Sequence, residues 1–199
     1  VPTGTAIRDV RDQLFDAAER VLLRDGPSAL TSRAVTAEAG CAKGVLHRHF
    51  ADFDAFLAEL ALDRAARMER RAADLRESAG TGTVADNLAT ALTDLLGPVA
   101  VAMVGLITSR DGLRARLRQT WPVGVPLLTD AAAAVAAYLA AESRLGRVPA
   151  DAETGTLAPT LIGAAHMLLA DRQAGPPDAG AVRRIVLTVV PGAEQEPPG

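Results

Sequence analysis

Residues 31–50, TSRAVTAEAGCAKGVLHRHF, constrain this chain more than any other stretch. Thr31 offers a side-chain oxygen to the free N–H groups of a following helix, and Val35 and Ala39 fall on that helix's inward side. Gly40 stops it, and Gly40-Cys41-Ala42 forms a tight turn into a third helix of about Lys43 to His49, anchored by Leu46 and Phe50. An amphipathic helix precedes them. From Ala6 to Asp25 the residues Ile7, Val10, Leu14, Phe15, Ala18, Val21 and Leu22 recur at three- and four-residue steps, and Gly26-Pro27 ends the run. Three helices with a short third one are the minimum scaffold for presenting a helix to a DNA major groove.

The charge pattern is local. The chain of 199 residues carries a net charge of -3, so a nucleic-acid contact needs a basic patch of its own. Arg33, Lys43 (the only lysine) and Arg48 face a single acid, Glu38, between Ser28 and Phe50, a local balance of +3 - 1 = +2. Thr31 and Ser32 sit at a helix start, where N–H groups favour phosphate oxygens.

The remainder reads as helix throughout. Aromatics make up 3% of residues while alanine, leucine and valine dominate, which suits packed helices better than sheets. Asp52 or Asp54 caps a long connector helix to about Ser78, whose densely charged second half is expected largely in solvent. Beyond the Ala79–Gly82 break, further helices are expected over 84–96, 98–109 (apolar on nearly all sides), 111–119, 123–145, 151–174 (with Pro159 inside) and 179–190, the last capped by Asp178. Residues 1–5 and the tail from 191 read as disordered. The expected architecture is all-α, with a helix-turn-helix domain over 1–52, a helical effector-binding and dimerisation domain over 53–190, and a tail over 191–199.

The pattern T31-x-R33-x-V35-x-x-E38-A39-G40-C41-A42-K43-G44-V45-L46-H47-R48-H49-F50 resembles the helix-turn-helix of the TetR family of bacterial repressors. Phe15, Ala18 and Leu57 also fall at family positions, and the likeness is greatest over residues 7–60. Family members usually carry serine at the position of Ala42, threonine at Val45 and tyrosine at His47. Here a cap, a hydrogen-bond donor and an aromatic phosphate contact are therefore replaced, and Val45 retains only contact with a thymine methyl.

The resemblance implies a homodimeric, ligand-responsive repressor of a palindromic operator. Its double-stranded DNA would be contacted by Thr31, Ser32, Arg33, Ala42, Lys43, Gly44, Val45, His47, Arg48 and His49. Dimerisation is expected through 151–174 and 179–190, where Leu157, Leu161, Ala164, Ala165, Leu168, Ile185, Val186 and Val189 exceed the needs of one inner face. A small hydrophobic effector would meet Met103, Ile107, Trp121, Leu128, Tyr138 and His166. A helical small-molecule binder that has weakened or lost its DNA affinity is the alternative.

Other classes have less behind them. One cysteine, Cys41, allows no internal disulfide and fits a reducing cytoplasm, and no run approaches the ~20 apolar residues of a membrane span. His47 and His49 lie two apart on a helix and point different ways, so no metal is expected. No cofactor and no catalytic grouping of nucleophile, base and orienting acid is expected either.

Overall fold

A computed structural model of the chain describes residues 4–170, 178 and 180–194, with side chains from residue 10 onward. It contains ten α-helices and no strand among the described residues: α1 (Gly4–Asp25), α2 (Ser32–Glu38), α3 (Gly44–His49), α4 (Phe53–Glu77), α5 (Val84–Leu95), α6 (Pro98–Ser109), α7 (Asp111–Leu117), α8 (Leu128–Arg144), α9 (Thr154–Ala170) and α10 (Ala181–Val189). They form two compact units, Val1–Asp63 with Ala102–Val125, and Arg64–Val101 with Pro126–Gly199. No single described helix is long and apolar enough to cross a membrane.

The first unit is built on α1, whose Leu14, Phe15, Ala18, Val21 and Leu22 are buried as their periodicity requires. All four phenylalanines of the chain belong to this unit. Phe50 meets Phe56 edge-on at 5.0 Å, Phe15 lies 5.6 Å from Phe56, and Phe53 stacks on Phe56 at 5.6 Å. Arg11 covers the ring of Phe50 at 4.7 Å and reaches Glu59. This aromatic cluster fixes the start of α4 against α1 and the end of α3, because offset and edge-on ring pairs favour defined geometries. The short helix α7 belongs to the same unit and docks on the first turn of α4 through Arg110–Asp54 and Arg116–Asp52 ion pairs.

In the second unit α5 buries Val84, Leu88, Leu92 and Leu95, with the Thr83 hydroxyl capping its N-terminus through the Asp86 N–H. α8 packs on α9, and α10 packs on both α5 and α9. A polar network closes one end. Asn87 Nδ2 donates to the Tyr138 hydroxyl at 3.0 Å and to the Thr81 carbonyl at 2.8 Å. Glu142 Oε1 accepts from the Gly80 N–H at 3.2 Å, and Arg147 Nη2 donates to the Gly82 carbonyl at 3.0 Å. The turn between α4 and α5 is thus tied to α8 and the loop after it.

Several sequence expectations change. The second half of α4 is not mainly solvated: Arg64, Met68, Ala72 and Leu75 are buried at three- and four-residue steps, and the intervening charges cover only the outer side. α8 starts at Leu128 rather than 123, because Gly124 takes a left-handed turn (φ 84°) and Pro126 follows it. Leu127 enters α8 at φ 70°, a costly conformation for a branched side chain, held by complete burial of that side chain. α10 starts at Ala181 with Gly180 at its cap position, and Asp178 stands at the helix start, its Oδ1 accepting from the Gly180 N–H at 3.4 Å and its Oδ2 from Arg184 at 2.7 Å.

At the termini, Gly4 and Thr5 already belong to α1. The tail expected to be disordered from 191 opens with a turn over 191–194, in which Ala193 is buried and its carbonyl accepts from the Ala85 N–H at 2.9 Å. Residues 1–3, the helix end and proline stop expected over 171–177, Ala179 and the tail over 195–199 lie outside the described residues.

Candidate nucleic-acid interface

The turn between α2 and α3 is set by backbone hydrogen bonds. The Cys41 N–H donates to the Thr36 carbonyl at 3.0 Å and the Gly40 N–H to the Ala37 carbonyl at 3.2 Å. This paired arrangement ends α2 with Gly40 at φ 66°, a left-handed position that L side chains resist. Nothing stands within 4 Å of a Cβ built on Gly40, so backbone strain alone opposes substitution. Gly40→Ala is expected to lower stability by about 1 kcal/mol and Gly40→Asn by less, read from urea midpoints at constant slope.

The two helices are fastened from beneath. Thr31 Oγ1 accepts from the Ala34 N–H at 3.1 Å, the cap its sequence position predicts. Gln13 Nε2 of α1 donates to the Ala39 carbonyl at 2.9 Å. Leu46 is fully buried and Phe50 nearly so, while Val45 is half-buried. Burying Leu46 leaves Lys43, Gly44, His47 and Arg48 exposed on the outer side of α3, with His49 partly exposed at its end. Lys43 occupies the cap position of α3 without a side-chain cap bond, in keeping with the alanine that precedes it.

The electrostatics depend on one residue. Glu38 accepts from Arg20 Nε at 2.8 Å and from Arg24 Nη1 at 2.9 Å, both from α1. Hydrogen bonds from Arg20 and then Arg24 hold its carboxyl below the usual carboxylate range, burial opposing. The one acid of the motif is therefore turned toward α1 and neutralised there. Arg33 and Arg48 are exposed, as is Lys43, and no ion pair engages any of the three among the described residues. Ser32 Oγ at the start of α2 has no hydrogen-bond partner within the protein. Sequence reasoning missed the Arg20–Glu38–Arg24 clamp, because its members lie 14 and 18 residues apart.

These features together form an exposed basic helix on a rigid three-helix base, and residues 14–60 match the family model described as bacterial regulatory proteins, tetR family. Over residues 14–60 the chain belongs to the TetR family. It is a DNA-binding transcriptional regulator, in a family of transcription factors rather than enzymes. TetR-family structures share its fold over most of the chain. A family member from Streptomyces coelicolor A3 is 23% identical with a TM-score of 0.64, covering 91% of this chain and 98% of that one. The regulator FadR from Bacillus subtilis, solved with stearoyl-CoA, is 18% identical with a TM-score of 0.68 over 91% and 98%. The multidrug binding protein EbrR, solved with imidazole, is 21% identical with a TM-score of 0.59 over 91% and 94%. No curated protein sequence matches the chain.

The six residues expected to meet an effector divide between the units. Met103 and Ile107 are fully buried on α6 in the first unit, which also holds the half-buried Trp121. The second unit holds Leu128, Tyr138 and His166. Tyr138 is fully buried with its hydroxyl in the Asn87 network; burial first, then the adjacent Glu142 carboxylate, raise its phenol far above the ordinary value. His166 is half-buried, its Nδ1 has no partner, and desolvation lowers its imidazole pKa, favouring the neutral ring. A groove of about 160 Å³ lies between α4 and α5, edged by Arg71, Asp74, Asn87 and Asp94, and its lining includes none of the six. No group of three or more His, Cys, Asp or Glu that could hold a metal occurs among the described residues.

Proposed function

We propose that this TetR-family regulator is a cytoplasmic homodimeric repressor that binds a palindromic operator and is released by a small hydrophobic effector. The observation that carries the DNA-facing part is the unopposed Arg33–Lys43–Arg48 charge, left free because Glu38 is bound by Arg20 and Arg24. In this reading residues 1–52 are the DNA-binding domain and α3 enters the major groove. Lys43, Arg48 and Arg33 meet phosphates, Thr31 and Ser32 add contacts at the start of α2, and Ala42, Gly44, Val45, His47 and His49 line the approach.

Two-fold pairing is supported by the outer side of α9, where Gly155, Thr156, Pro159, Thr160 and Gly163 are exposed and Met167 is 79% exposed. Leu157, Ala164, Leu168, Ile185 and Val189 are only half-buried, whereas Leu161, Ala165 and Val186 are core. Small residues along a helix permit close approach of a partner. Effector binding is supported by the ligand-bound state of two related folds, EbrR with imidazole and FadR with stearoyl-CoA. The candidate contacts remain Met103, Ile107, Trp121, Leu128, Tyr138 and His166, with the unpartnered Nδ1 of His166 as a polar handle.

Lys43→Ala is expected to weaken binding to every duplex and to lower the slope of log K against log salt by about 0.9 for each phosphate no longer neutralised. A gel-shift titration at several salt concentrations reads both, and unchanged affinity would remove Lys43 from the interface. The replacements at Ala42, Val45 and His47 favour the alternative, a ligand-binding protein that no longer reads DNA. Selection of bound duplexes from a random pool separates the two, since that alternative returns none.

A further inference from the structure

The start of α4 poses an electrostatic problem for any chain that lays α3 against DNA. Asp52 follows Phe50, the residue that caps the end of α3, by two positions, and Asp54 stands in the first turn of α4. Asp52 is needed there, since its Oδ1 accepts the Ala55 N–H. Both carboxylates retain exposure, at 52% and 34% of their side chains. They sit within a few residues of a helix that would occupy a groove about 12 Å wide, between two rows of phosphates. The screening length is about 8 Å at physiological salt, so repulsion there would not be screened away.

The same two carboxylates receive guanidinium groups from α7. Arg116 Nη2 lies 2.8 Å from Asp52 Oδ2, and Arg110 Nη2 lies 3.0 Å from Asp54 Oδ1. Arg110 also lies over the ring of Phe53 at 5.5 Å. Gly112 permits this approach: a Cβ there would stand 2.6 Å from Asp54 Oδ2. Charge, ring and glycine all fit α7 to the first turn of α4 within one compact unit.

We propose that α7 is a charge shield for the DNA-reading head. With α7 in place, Arg110 and Arg116 cancel Asp54 and Asp52, and the corner between α3 and α4 accepts nearby phosphates. With α7 lifted, two bare carboxylates face those phosphates and repel them. The inference rests on the DNA-binding reading above.

The test uses the full chain and a duplex recovered from a random pool by the unmodified protein, titrated at low and physiological salt. Arg110→Gln/Arg116→Gln is expected to lower affinity about tenfold, and Asp52→Asn/Asp54→Asn, in which asparagine keeps the helix cap, to raise it about tenfold. The fourfold variant returns to within about threefold of the unmodified protein, because charge cancels charge. Unchanged affinity in the aspartate pair overturns the shield, as does a fourfold variant as weak as the arginine pair, which would mean that the arginines touch phosphate directly. Should the arginine pair fail to fold, the aspartate pair alone decides, since its predicted gain cannot come from unfolding. Recovery of no duplex would overturn the DNA-binding reading and the shield with it, whereas a recovered duplex with insensitive variants sinks the shield alone.

Discussion

Arg147→Ala is expected to cost about 3–5 kcal/mol, because it strands a buried carboxylate. Glu142 is 0% exposed and Arg147 3% exposed. Arg147 Nε and Glu142 Oε2 stand 3.0 Å apart but lack the alignment of a hydrogen bond, since neither atom has a hydrogen-bond partner. Their attraction is Coulombic, in an environment that screens little. Once the guanidinium is gone, Glu142 keeps the Gly80 N–H and the Tyr138 hydroxyl, neither of which cancels its charge, and the Gly82 carbonyl loses its donor while the Thr81 carbonyl keeps Asn87. The effect should appear as a fall in melting temperature of the isolated protein. Arg147→Ala/Glu142→Gln should recover part of it by removing the unpaired charge, and a double variant no more stable than Arg147→Ala would refute the account.

Leu46→Ala is expected to cost about 2–5 kcal/mol, the range for a buried leucine whose cavity does not collapse. Leu46 is 0% exposed and is the buried residue of α3, a helix of six residues. So short a helix has no stability of its own, and its place depends on that anchor and on Phe50 behind it. The variant should therefore lose DNA affinity at temperatures where the second unit remains folded. Differential scanning calorimetry beside a gel shift reads the two effects, and full affinity in a destabilised protein would show that α3 is held by other means.

Local features are legible in the residues. The Thr31 cap, the Gly40 turn and the apolar spacing of α1 each arise from neighbours within a few positions, and the structure places them where spacing requires. Periodicity sets the start of α8 too early, because an alanine-rich pattern says little about where a helix begins; Gly124 and Pro126 decide that instead. The charges of α4 read as a solvated half-helix, although Met68, Ala72 and Leu75 keep a buried stripe beneath them. The burial of Arg147 is not legible locally, because it depends on the Thr81 and Gly82 carbonyls 66 and 65 residues away.

Residues 31–50 contain enough local information to specify a turn, two short helices and the kind of surface they present, since caps, glycine conformations and helical periodicity act over a single turn of chain. Which charges remain free on that surface is settled by folding. Glu38 is neutralised from α1, and Asp52 is met by an arginine 64 residues away. Such pairs have no signature in a local pattern, because Coulomb interactions depend on distance in space and any acid can be met by any arginine that the packing brings near.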